Sequence, residues 1–399
     1  MQEMPSGMRV GFFGSFYPFV DGLATTSTGL VYLLANSSRI QRLTLFTPKN
    51  SSVPEELRNG KIENIPCWSY NSVTSILTAF LNMVMERNSV DVFLFNIHLT
   101  SFGKSKIANG LGLLLPSMVA KITGLKVVVY MHNFVETEDV AKLGYGNRRF
   151  SIMIAKGLER LIAINTKLVV PLESQSEKLN AFLRTKPENL SIPYVEGIYS
   201  ALHMIKKMDS LTRRSGTTYR VLLFGSWGPQ KDLEGALMIL GELITEGIDI
   251  EILVAGSINM NFPHYYDKIQ KLAETLPKDK YRFMMNVPDE SVHELFVDSD
   301  LLFLPYNAAG GYSAVMNIGA LFGLRMMAYD LPQLREFSNA IETNCEFVDP
   351  NNRAEMKIKL KNIIIEKAAT NSRPEQFIRD RLQKADNCVG KFLEILEYD

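Results

Sequence analysis

At 399 residues the chain is longer than one hydrophobic core usually serves, so two domains are expected. Hydrophobic residues make up 46% and charged residues 22%, which excludes a disordered chain and a disulfide scaffold. Lys plus Arg and Asp plus Glu are equal at 43 each with no basic stripe, so nucleic acid is not an expected partner.

The first predicted strand covers 8–14 and feeds a loop over 15–22, then a helix over 25–36. Apolar runs follow at 43–46, 90–95, 126–130 and 167–170, separated by helical stretches at 73–86, 111–122 and 150–164. Strands that are apolar throughout, alternating with helices, predict βαβ units whose parallel sheet is covered on both faces. A charged connection holding Lys206, Lys207, Arg213 and Arg214 sets the joint at 199–216. A second series then starts afresh, with strands at 220–224, 251–255, 281–285, 301–304 and 325–328. Its helices are expected at 233–246, 265–275, 291–296 and 313–322. The tail from 353 to 398 reads as helical with a break near Pro374. The expected architecture is α/β, two doubly wound Rossmann-like domains facing a cleft. They span 1–198 and 217–375, with a helical tail over 376–399 free to pack back on the first domain.

Cys67, Cys345 and Cys388 lie far apart without metal-ligand spacing and read as free thiols. Residues 1–7 lack the charged and apolar segments of a signal peptide, and the longest apolar stretch, 110–120, is too short to span a bilayer. A cytoplasmic protein able to rest on the inner face of a membrane is expected. The basic stretch 150–160 is a candidate for that contact, and a solvated helix face is its alternative reading.

Three turns carry the candidate chemistry. An apolar strand ends at Gly225, and Lys231 stands beside a helix opening near Asp232, so amide N–H groups and a cation meet where a diphosphate could bind. The alternative is a plain βα turn with a surface lysine. A second strand ends at Pro305 and Tyr306 and leads through Gly310 and Gly311 to Ser313, placed as a helix N-cap whose amide and hydroxyl could face an anion. A third strand delivers His132 and Asn133 at its C-terminal end, to a sugar hydroxyl or to a structural role. The loop holding Asp21 and Gly22 is long enough to close over an acceptor. Walker, G-x-G-x-x-G, HExxH and G-x-S-x-G patterns are missing, which weighs against ATP hydrolysis, a nicotinamide site, a metalloprotease and a serine hydrolase. Neither a cofactor nor a metal ion is expected.

These landmarks, taken in order, resemble the "group 1" family of retaining GT-B glycosyltransferases. The matches are Phe224-Gly225 with Lys231, Gly256, the run Asp289 to Pro305, Tyr312-Ser313, Gly323 and Tyr329 to Glu336. The resemblance covers 220–340 well and 8–200 more thinly, through Pro18, Gly22, His132 and Pro193 to Gly197. It implies a nucleotide-sugar donor, with a glycan or lipid-linked acceptor among the candidates. Lys231 would bind the donor diphosphate, and Tyr312, Ser313, Ala314 and Val315 would hold phosphates and ribose. His132 would sit near the transferred sugar. Two departures stand out: Ser226 occupies the position of a frequent Arg, and Gly310 and Ile318 occupy those of a frequent glutamate pair. A catalytically silent binding subunit and a nucleotide-sugar epimerase of the same architecture are the alternatives.

Overall fold

A computed structural model describes residues 7–19, 22–135, 149–183, 185–207, 218–259, 262–309, 311–366 and 374–397. The chain divides into two units. The first is built from the residues up to Glu196 together with those from Lys384 onward, and the second from Gly197 to Gln383.

The first unit holds a seven-stranded parallel sheet. Its strands are β1 (Met8–Gly14), β2 (Ile40–Pro48), β3 (Ile62–Trp68), β4 (Val92–Ile97), β5 (Lys126–Met131), β6 (Lys167–Val170) and β7 (Glu188–Asn189). The central strands are apolar on both faces because helices cover both sides, and β4 is buried along its whole length. Helix α1 (Gly22–Asn36) follows β1, and α2 (Val73–Met85), α3 (Lys106–Thr123) and α4 (Arg149–Ile162) lie side by side, α3 between the other two. Phe13 anchors the core, with ring centroids 5.4 Å from Trp68 and 5.1 Å from Phe95.

The second unit repeats the plan with six parallel strands: β8 (Tyr219–Trp227), β9 (Ile250–Ile258), β10 (Tyr281–Met285), β11 (Leu301–Leu304), β12 (Arg325–Tyr329) and β13 (Cys345–Val348). Helices α7 (Leu233–Thr245), α9 (Asp289–Val297), α10 (Ala314–Leu321) and α11 (Pro332–Ala340) alternate with them. Strand order is β3-β2-β1-β4-β5-β6-β7 in the first sheet and β10-β9-β8-β11-β12-β13 in the second. Each order reverses beside its first strand, so the connections after β1 and β4, and after β8 and β11, diverge at the carboxyl ends of the strands. Such switch points are where open α/β sheets bind ligands.

Part of the expected connection is helical. α6 (Ile198–Lys207) belongs to the second unit and packs on α9, while 208–217 lie outside the described residues. The last helix, α13 (Pro374–Glu397), gives its final turns to the first unit, where Phe392 is fully buried 5.8 Å from Tyr130.

Candidate functional site

In the second unit the switch point lies between the ends of β8 and β11. β8 and β9 are paired through Gly225 opposite Gly256. A Cβ on Gly256, whose φ is 118°, would fall 2.1 Å from the Gly225 carbonyl oxygen, so only glycine fits there. A Cβ on Gly225 would instead meet the end of the Lys231 side chain, 2.7 Å from Nζ. The tight turn Pro229–Lys231 follows, and the Gln230 carbonyl accepts hydrogen bonds from Asn307 N at 2.9 Å and Ala308 N at 3.3 Å. That pair of bonds locks the β8 turn to the β11 loop.

Lys231 lies over the ring of Tyr306, its Nζ 4.3 Å from the centroid. Among the described residues it forms no ion pair, and burial alone lowers its pKa to about 8. An ammonium held against an aromatic face with no counter-ion favours an incoming anion. The buried Tyr306 hydroxyl donates to Phe224 O at 3.4 Å and is hydrogen-bonded to Ser313. Ser313 caps α10, accepting from Met316 N at 3.2 Å. The first-turn amides of Ala314 and Val315 have no acceptor among the described residues, and no acid stands in that turn. Gly311, at φ 107°, brings the chain into the cap. Gly225, Lys231, Pro305, Tyr306, Gly311, Ser313, Ala314 and Val315 thus share one switch point.

One expectation is corrected. The start of α7 is not an open anion site, because Asp232 caps it with its own carboxylate. Oδ1 accepts from Gly235 N at 3.1 Å and Oδ2 from the Tyr329 hydroxyl at 2.7 Å. The amides available to a phosphate are those of α10. Ser226 is exposed at the end of β8, and the Tyr312 ring packs on Phe337 at 4.7 Å. Gly310 lies outside the described residues.

The first unit has its own polar cluster at the β1–β4 switch point. His132 Nε2 lies 2.6 Å from Oδ1 of Asn96, which is fully buried, and Asn96 Nδ2 donates to Ser27 Oγ at 2.8 Å. Since the amide nitrogen is committed to Ser27, its oxygen accepts, so His132 is protonated on Nε2. Burial, aided by nearby His98, lowers the His132 pKa to about 3 and keeps the ring neutral. Asn133 braces the loop, accepting from Leu99 N at 3.0 Å. Gly22 is exposed at the start of α1, where its carbonyl accepts from the hydroxyls of Thr25 and Thr26; Asp21 lies outside the described residues. The residues sequence reasoning missed are Ser27, Asn96 and Gln230. Asn96 carried a signal, a lone polar residue ending the apolar run of β4. Among the described residues no group of three His, Cys, Asp or Glu side chains is placed to hold a metal ion.

No protein-family profile matches the chain, and neither does any curated protein sequence. Solved structures do. HepE from Anabaena in complex with UDP-glucose is 12% identical, with 98% of this chain and 100% of that one covered and a TM-score of 0.65. Sucrose-phosphate synthase from Thermosynechococcus elongatus is 12% identical over 98% and 99% of the two chains, with a TM-score of 0.67. WaaG, a glycosyltransferase involved in lipopolysaccharide biosynthesis, is 16% identical over 98% and 100%, with a TM-score of 0.60. The fold is that of the GT-B glycosyltransferases, two Rossmann-like α/β domains in series.

Proposed function

We propose that this chain is a glycosyltransferase that moves a sugar from a nucleotide-sugar donor to a glycan or lipid-linked acceptor with retention of anomeric configuration. One observation carries the reading: an ammonium without a counter-ion, Lys231, shares the second sheet's switch point with the uncommitted amides that begin α10. As the bond from the anomeric carbon to the diphosphate oxygen breaks, negative charge grows on the leaving group. Lys231 and the α10 amides, held in place before the reaction, stabilise that charge. In this reading the positive charge comes from the chain itself, and no cofactor takes part. His132, neutral and oriented by Asn96, hydrogen-bonds a sugar hydroxyl. The neighbour captured with UDP and with UDP-glucose supports the donor class.

The test is thermal unfolding with and without UDP, followed by donor consumption in an acceptor screen. UDP should raise the unfolding temperature of the wild type and have little effect on Lys231→Met. No stabilisation by any nucleoside diphosphate would remove the donor assignment. A second reading, a binding subunit without turnover, is favoured by Ile318, an apolar and buried side chain on α10 at a position where the resembling family often places a glutamate. Stabilisation by UDP with no donor consumption under any acceptor would select it.

A further inference from the structure

A lysine that is to meet an anion has to be held beforehand, because its four-carbon stem turns freely and its ammonium is strongly hydrated. A carboxylate would hold it, but an incoming anion would then have to break an ion pair. An aromatic face attracts an ammonium through its quadrupole and carries no net charge to compete with a ligand. The second unit gives Lys231 such a face. Its Nζ lies 4.3 Å from the centre of the Tyr306 ring. Gly225 leaves the room for it, since a Cβ there would fall 2.7 Å from Nζ and 3.5 Å from the Tyr306 hydroxyl.

Tyr306 is fixed more firmly than the lysine it carries. β11 ends at Leu304, Pro305 follows, and Tyr306 N donates back to Leu304 O at 2.9 Å. The next two amides, of Asn307 and Ala308, donate to Gln230 O, one residue before Lys231. The hydroxyl is placed as well: it donates to Phe224 O at 3.4 Å and accepts from Ser313. Ser313 Oγ in turn accepts from Met316 N at 3.2 Å. Each hydroxyl proton has its own acceptor, so the chain of bonds runs in one direction, from the cap of α10 to the end of β8. Tyr306 is 3% exposed and Ser313 6%, whereas Lys231 is only partly buried. A ligand at the switch point therefore meets the lysine, with the phenol beneath it.

We propose that Tyr306 is a positioning residue of the diphosphate site: its ring seats the Lys231 ammonium without neutralising it, and its hydroxyl ties the Ser313 cap, and with it the first amides of α10, to the end of β8. The inference rests on the reading of the second unit as a nucleoside diphosphate site. It adds what sets the two anion-binding parts in place before the ligand arrives, and groups set in advance lower the ordering cost of binding.

Two substitutions in the full chain separate the ring from the hydroxyl. Tyr306→Phe keeps the seat and removes the tie, so it should weaken UDP about two- to tenfold in titration calorimetry, the worth of one hydrogen bond. That loss should nearly vanish in a Ser313→Ala background, because the two side chains act as one contact. Tyr306→Leu removes the seat too. In carbon NMR of protein labelled at lysine, with the signal assigned by Lys231→Met, the Lys231 midpoint should stay in place in Tyr306→Phe. In Tyr306→Leu it should fall by about one pH unit, the scale of a desolvated cation–π contact. UDP should then weaken about threefold further at pH 7.5, and most of that further loss should disappear at pH 6, where the ammonium is charged in both proteins. A side chain that only filled space would weaken UDP equally at the two pH values. An unmoved Lys231 midpoint in Tyr306→Leu overturns the proposal, as do Tyr306→Phe and Ser313→Ala losses that simply add. Should Tyr306→Leu not fold, the cycle of Tyr306→Phe with Ser313→Ala decides alone. A wild type that binds no UDP sinks the donor reading, while the Lys231 midpoint still decides the seat.

Discussion

Lys231 decides what the second cluster can do. Its pKa of about 8 lies below the ordinary lysine value of 10.5 because the site is poor in water and holds no carboxylate partner. The unfolded chain therefore keeps the proton between those values while the native state gives it up. Stability lost below about 8 is regained as the pH rises toward 10.5. A bound diphosphate reverses the preference by favouring the charged form. UDP affinity should fall as the pH passes upward through about 8, and titration calorimetry in buffers of different ionisation heat should detect proton uptake. Lys231→Arg, charged at every accessible pH, should remove that dependence. Lys231→Met should weaken UDP roughly ten- to hundredfold, the worth of a hydrogen bond to a charged group. His132 poses the opposite question. With its pKa lowered to about 3, the native state refuses the proton that the unfolded chain binds below 6.5, so stability falls as the pH drops below that value. Asn96→Asp would place a carboxylate beside Nε2 and should bring the His132 titration into the range that nitrogen NMR can follow; an unmoved ring would disprove the contact.

At the scale of elements, the paired ends of β8 and β9 carry the closest tolerances. Gly256→Ala should cost about 3 kcal/mol in chemical unfolding, because backbone blocks the new Cβ and the φ is unfavourable. Gly225→Ala meets the tip of Lys231 and is strained at φ 157° as well, so it should weaken UDP binding and lower stability together. The other end of the same sheet is held by charge. Arg220, 6% exposed, pairs with Glu251 at 3.0 Å, its amide donates to Asp300 at 2.7 Å, and Arg282 reaches the same glutamate at 2.6 Å. Glu251→Ala takes the nearer carboxylate from the buried Arg220 guanidinium, leaving Asp298 at 3.6 Å, and should cost about 1.5–3 kcal/mol. Strands were legible in the sequence where they carry an apolar run, and β10 does so even at a sheet edge. β1, β6, β10 and β11 match their predicted spans, while β3, β7 and β13 went unseen. Those three are edge strands that are very short or interrupted by polar residues such as Glu63, Asn64 and Glu346, so they show no continuous apolar run.

For the whole molecule, the end of the chain completes the first unit. Val389, Phe392, Leu393 and Leu396 are buried, and Arg39 pairs with Glu397. Truncation after Gln383 should lower the stability of the first unit while leaving UDP binding by the second intact, readable as a change in one unfolding transition. Local pattern was enough to specify two α/β halves, their parallel sheets, and the turns after β8 and β11, since apolar periodicity and turn residues act between chain neighbours. Which turn residues meet is a long-range matter. The seating of Lys231 on Tyr306 rather than at a helix start depends on Asp232 capping that start, on Tyr329 reaching Asp232 across 97 positions, and on Gln230 holding the loop of Asn307. Asn96 and His132, 36 positions apart, meet only because β4 and β5 are neighbours in register. Such partners are chosen by strand order and burial, which exist only once the sheets have formed.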